Sequence, residues 1–203
     1  LITRVDQYVW EHTCRRLQRW NAEGLYLPAS VNVSRMDLQN GDLPEQFTAL
    51  VEKYGLAPDQ LRLEITESAY TDRPEQLAAM VARLRAAGFT VEMDDFGTGY
   101  SSLNMLKDIH IDVLKLDMKF LSAGEETRGR QIVACIVDMA HRLDMRVIAE
   151  GVETAQQARE LTALGCDAMQ GYYFSRPLPP EELEKILHTA GVQSPQPAPA
   201  ATT

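Results

Sequence analysis

Apolar and polar residues alternate with a period of two in six short stretches: "SVNVS" (30–34), "LRLEIT" (61–66), "FTVEMDD" (89–95), "VLKLD" (113–117), "RVIAE" (146–150) and "AMQGYYF" (168–174). Successive side chains of a strand point to opposite faces, so each stretch reads as a β-strand with one apolar face. Between them the period lengthens to three or four. Leu77, Val81 and Leu84 share a helical face after Pro74, and Gly88 is placed to stop that helix. Ile132, Ile136, Met139 and Leu143 make a second apolar stripe, and Thr154 with Gln157 forms a capping box that opens a third helix. Regular alternation of strand and helix predicts a parallel sheet with right-handed crossovers, either doubly wound or closed as a barrel. No internal repeat is evident. Residues 1–190 read as one domain, while 191–203, rich in Pro and Ala without apolar periodicity, are expected to be a disordered tail.

Counting in twos sorts the strands into two faces. Val31 and Val33 oppose Asn32; Leu63 and Ile65 oppose Arg62, Glu64 and Thr66; Val91 and Met93 oppose Glu92 and Asp94. Leu114 and Leu116 oppose Lys115 and Asp117, Val147 and Ala149 oppose Glu150, and the last stretch adds Gln170. If the apolar faces meet the surrounding helices, these polar residues converge inside a barrel, and those at strand ends collect at its C-terminal mouth. Buried carboxylates need partners, and Lys115 alone does not balance Glu64, Asp94, Asp95 and Glu150. Oxygen ligands in this number suit Mg²⁺ or Mn²⁺, which makes the adjacent Asp94 and Asp95 a metal platform. Gly97 and Gly99, just after them, permit a tight loop.

Composition narrows the classes. With 203 residues and 45% hydrophobic content the chain is long enough for one sizeable core, and it contains no apolar run fit to span a membrane or serve as a signal. A formal charge of −9 argues against sequence-independent DNA or RNA binding, and an anionic substrate then requires a metal as intermediary. Cys14, Cys135 and Cys166 are far apart and in no ligand spacing, so they read as reduced core thiols of a cytoplasmic protein. His12, His110, His141 and His188 are scattered and are expected to be solvated or at helix ends. Trp10 and Trp20 suit helix packing, and Tyr172 and Tyr173 suit packing at the end of a strand.

In order and spacing, "SVNVS", "LRLEITES", "VEMDDFGTGYSSL", "VLKLDMKFL", "VIAEGVET" and "GCDAMQGYYFSRPLP" resemble the EAL-domain cyclic di-GMP phosphodiesterases of bacteria. The resemblance implies an α/β fold, a modified TIM-like (β/α)₈ barrel, that hydrolyses cyclic di-GMP to linear pGpG with two Mg²⁺ or Mn²⁺ ions. It implies Asn32, Glu64, Asp94 and Asp95 as metal ligands, with Glu150 as a further ligand or as the base for the attacking water. Lys115 would contact that water or the scissile phosphate. Glu67 would hold the glycine loop, while Glu153 and Gln170 would complete the substrate pocket. It leaves room for a homodimer and for an attached diguanylate cyclase-type or sensor domain, with no membrane contact by this chain.

The Glu-Ala-Leu strand that names the family is absent, and six strand signals stand where a closed barrel of this kind has eight. Leu1 is therefore not expected to be the natural start; the segment before it would supply two strands and one metal-binding Glu. Two other classes compete. A noncatalytic cyclic di-GMP receptor or interaction module would keep the fold without turnover, and such forms lose ligands that are present here. An enolase-type barrel also gathers carboxylates around Mg²⁺, but its paired lysines have no counterpart around Lys115 and Asp117.

Overall fold

The alternating stretches become six parallel strands that pair in chain order: β1 (Ala29–Asn32), β2 (Leu61–Thr66), β3 (Val91–Phe96), β4 (Val113–Asp117), β5 (Arg146–Glu150) and β6 (Ala168–Met169). The chain is seen here as a computed structural model that describes residues 2–39, 41–70, 74–97, 102–117 and 126–189. The tail 191–203 and Gly99 lie outside the described residues. A strand order that runs from first to last without reversing is that of a barrel wall; a doubly wound sheet reverses at its switch point. The two architectures left open by periodicity are thereby separated, and the fold is α/β with six staves of a TIM-like barrel. Within the described residues β1 and β6 each pair on one side only.

Helix α1 (Ile2–Ala22) leads into β1; α2 (Arg35–Leu38) and α3 (Leu43–Lys53) cross from β1 to β2. The later crossovers are α4 (Pro74–Ala86), α5 (Ser102–Asp108), α6 (Glu126–Arg142) and α7 (Ala155–Ala163), and α8 (Pro180–Thr189) follows β6. None is long and apolar enough to cross a membrane. The apolar strand face is the core: Leu61, Leu63, Ile65, Val91, Met93, Leu114, Val147 and Ala149 are fully buried, each larger side chain contributing roughly 1.5–3 kcal/mol. Against it pack Leu77, Val81 and Leu84 of α4, as their spacing predicts, with Met80 beside them, and Gly88 at φ 92 ends that turn. Trp10 and Trp20 are buried too, the Trp10 ring tilted against Phe47 with centroids 4.6 Å apart, and the Thr154–Gln157 capping box is formed.

Four expectations are corrected. On α6 the expected stripe holds only in part: Val133, Val137 and Ala140 form the buried face, Ile136 and Met139 are half-buried against it, and Ile132 and Leu143 are exposed. Two apolar stripes run along this helix, and the smaller residues allow it to approach β5 closely. Cys135 lies on the outer side and is exposed, so only Cys14 is a core thiol, its pKa pushed up to about 12 by burial; Cys166 is half-buried. β1 ends at Asn32, because Ser34 instead caps α2, accepting from the Asp37 N–H. β6 ends at Met169, and Tyr172, Tyr173 and Phe174 are exposed in a turn rather than packed at a strand end. The cause is Gly171, whose backbone lies so close to Val152 that a Cβ there would stand 2.2 Å from the Val152 carbonyl oxygen. The turn is then fastened by Tyr173 N–H donating to that oxygen at 2.9 Å.

At the junction of α1 and α2, Asp6 sits against Asp37 and Ser34 with its Oδ2 buried and unpaired. Burial first, and then the neighbouring Asp37 carboxyl, hold the Asp6 pKa above the ordinary carboxylate range.

Candidate functional site

Parallel strands of one barrel place residues of equal depth side by side at the C-terminal end of the sheet. Glu64 on β2, Asp94 on β3, Lys115 on β4 and Glu150 on β5 meet there. Lys115 Nζ lies 2.6 Å from Glu64 Oε1, 2.9 Å from Glu150 Oε1 and 3.2 Å from Asp94 Oδ1, and its side chain is only 5% exposed. Burial by itself would lower the Lys115 pKa, but the hydrogen bonds and charges of Glu64 and Glu150 outweigh it and the net shift is upward. Glu150 is also shifted upward. Its burial and the like charges of Asp94 and Glu64 outweigh the pull of Lys115, because three carboxylates share one ammonium.

Strict alternation would send Asp94 and Asp95 to opposite faces. The strand avoids this with a register shift against β4 between Met93 and Phe96, and Asp95 takes the left-handed conformation at φ 56. Phe96 returns to the core and Asp95 is exposed, its N–H donating to Asp94 Oδ1 at 3.0 Å. The next residue, Gly97 at φ 95, donates its N–H to Glu67 Oε2 at 3.3 Å. Glu67 is 4% exposed, so a buried carboxylate ties the start of the glycine loop to the turn after β2.

The other expected site residues reach the same end through their backbones. Asn32, directly beside Glu64 in the sheet register, has its carbonyl held by Trp10 Nε1 at 2.9 Å. Gln170 donates its N–H to Ala149 O at 2.8 Å, and Glu153 precedes the N-cap of α7. Among the described residues no ion pair or hydrogen bond joins the side chains of Asn32, Glu153 or Gln170 to the Lys115 cluster.

One further set, Ser30 with Arg62 and Glu92 of the polar face, was given no role by sequence. Two positions before Asn32, Asp94 and Glu64 respectively, Ser30 Oγ donates to Glu92 Oε2 at 2.9 Å, and Arg62 Nη1 stands 3.4 Å from Glu92 Oε1. The signal for it was the same count in twos that located the cluster.

The donor set fits a hard divalent cation in its chemistry: oxygen only, with three carboxylates against one ammonium. In its arrangement, no three acidic or other metal-ligating side chains among the described residues are grouped to hold a metal ion, because Glu64, Asp94 and Glu150 close around an ammonium instead.

The EAL domain family profile matches residues 1–177. The cyclic di-GMP phosphodiesterase NbdA of Pseudomonas aeruginosa is 38% identical over 189 residues, which are 92% of this chain and 24% of that protein. The signaling protein YkoW of Bacillus subtilis is 37% identical over 188 residues, again 92% of this chain and 24% of that protein. The chain thus spans about a quarter of the length of the curated relatives it matches. The PaMucR phosphodiesterase in complex with c-di-GMP superimposes with a TM-score of 0.83 at 34% identity, covering 90% of this chain and 75% of that one. BlrP1 of Klebsiella pneumoniae, solved as a manganese and cyclic di-GMP complex, gives 0.76 at 28% identity, covering 86% and 44%.

Proposed function

The chain belongs to the EAL domain family, and we propose that it hydrolyses cyclic di-GMP to linear pGpG with the help of divalent cations, Mg²⁺ or Mn²⁺, two ions in all. The observation that carries this reading is the convergence of Glu64, Asp94 and Glu150 on Lys115 at the C-terminal strand ends, where barrels of this class perform their chemistry. The named activity of NbdA and the ligands of the PaMucR and BlrP1 complexes support it.

Asn32, Glu64, Asp94 and Asp95, with Glu150 as a further ligand or base, would hold the cations. Bound there, the cations lower the pKa of a water and neutralise phosphate charge. The remaining work belongs to the chain. Lys115 Nζ donates a hydrogen bond to the scissile phosphate or to the attacking water. Glu150, if it is not a ligand, accepts that water's proton at a carboxylate oxygen. One water adds to phosphorus, the P–O3′ bond breaks, the 3′ oxygen takes a proton from solvent to leave as a hydroxyl, and Glu150 returns its proton to solvent. Glu67 keeps the Gly97 turn in place, and Gln170 and Glu153 border the nucleotide.

Incubating the folded chain with cyclic di-GMP and saturating Mn²⁺, and separating products by chromatography, tests the reading. Release of pGpG that Asp94→Asn abolishes is expected. Retention of intact cyclic di-GMP by a folded chain that binds it would make the protein a receptor instead.

A further inference from the structure

Resting on that reading, we propose that Ser30, Glu92 and Arg62 form a positioning layer beneath the site, which sets the placement of Glu64 and Asp94 and so governs both cation affinity and turnover. The three lie two residues before Asn32, Asp94 and Glu64 on β1, β3 and β2, hence on the same face and one layer nearer the strand N-termini. Glu92 reaches across β2 to the Ser30 hydroxyl while it also faces Arg62, so one side chain joins three neighbouring strands. It is 1% exposed, and its Cα is the register partner of Glu64.

Stability does not account for this arrangement. Barrel interiors are filled mostly by branched apolar residues, and burying an ion pair is favourable only when its geometry is good and every polar atom is satisfied. Here the pair is loose, 3.4 Å, and Arg62 Nε is buried without a partner. A buried carboxylate and a largely buried guanidinium stand at a depth that barrels mostly fill with Val or Ile. What they supply is a fixed spacing between β1, β2 and β3 directly under the carboxylates that Lys115 gathers, and a fixed charge beside Glu64. Groups that orient ligands from behind in this way change metal affinity or activity by about 10–100-fold when removed.

The test compares the wild-type chain with Glu92→Gln, Ser30→Ala and Ser30→Thr, measuring Mn²⁺ affinity by calorimetry, kcat and KM for cyclic di-GMP, and thermal midpoint. Glu92→Gln and Ser30→Ala are expected to weaken Mn²⁺ binding and to lower kcat by about tenfold at saturating Mn²⁺, with KM little changed. Ser30→Thr, which keeps the hydroxyl, should restore both. A lowered midpoint with unchanged Mn²⁺ affinity would reduce the layer to a structural one and overturn the proposal, as would equal losses in Ser30→Ala and Ser30→Thr. A wild-type chain that binds Mn²⁺ but releases no pGpG would defeat the phosphodiesterase reading alone, because the Mn²⁺ affinities of the variants still decide the role of the layer.

Discussion

Replacing Lys115 by Met keeps the length and most of the volume of the side chain but removes the one ammonium that Glu64, Asp94 and Glu150 share. At an effective dielectric of about 20, Coulomb's law assigns roughly 5–6 kcal/mol to each of the three contacts before desolvation, and desolvation takes back most of it. The net cost is better judged from buried pairs broken by losing one partner, about 3–5 kcal/mol, since three carboxylates then stay buried together uncompensated. At roughly 2–4 °C per kcal/mol for a domain of this size, the metal-free midpoint should fall by about 6–20 °C. A divalent cation repairs this loss: it binds the folded state preferentially and raises the midpoint according to its concentration over Kd. Differential scanning fluorimetry of both proteins, with chelator and then with a Mn²⁺ series, should show a large deficit for Lys115→Met that Mn²⁺ narrows. In the wild-type chain the Mn²⁺ shift should be smaller, because the ammonium already balances part of the charge. An unaltered chelated midpoint, or a Mn²⁺ shift no larger than that of the wild type, would refute the idea that Lys115 stands where a cation is needed.

Glu67→Ala should lower kcat at least tenfold, as an order of magnitude for a lost orienting group, while calorimetric Mn²⁺ affinity stays near wild type. Loss of metal binding instead would make Glu67 a ligand. Gly171→Ala must displace the Val152 backbone and should cost about 1–3 kcal/mol in urea denaturation; a neutral result would mean that the turn can open. Asp6 has a folded pKa above its unfolded one, so the folded state binds more protons between those two values and stability falls as pH rises through that window. Asp6→Asn should therefore be more stable than the wild type above the window and equal to it below, as read from denaturation midpoints across pH. A benefit that persists at low pH would point to a cause other than titration.

Period-two alternation is a local property of a strand, so β2, β4 and β5 were legible to the residue, along with the polar face bearing Glu64, Asp94, Lys115 and Glu150. The α4 face and the Thr154 cap were legible for the same reason: each is specified by residues within a turn or two of one another. What escaped the sequence depends on partners distant in the chain. Which of two apolar stripes on α6 faces inward was decided by how closely β5 lets a helix approach, and the early end of β6 by the contact of Gly171 with Val152. Alternation would have parted Asp94 from Asp95; a register shift against β4 and one left-handed residue turned Asp95 out of the core. The sharing of Lys115 by three carboxylates, and the Ser30–Glu92–Arg62 layer beneath it, required the curvature and stagger of the sheet. Sequence alone determined which residues face the interior and of what chemical kind they are, because strand geometry carries that information locally. Only the tertiary structure decided which of them touch, since side-chain reach across neighbouring strands is set by the register and tilt of the whole wall.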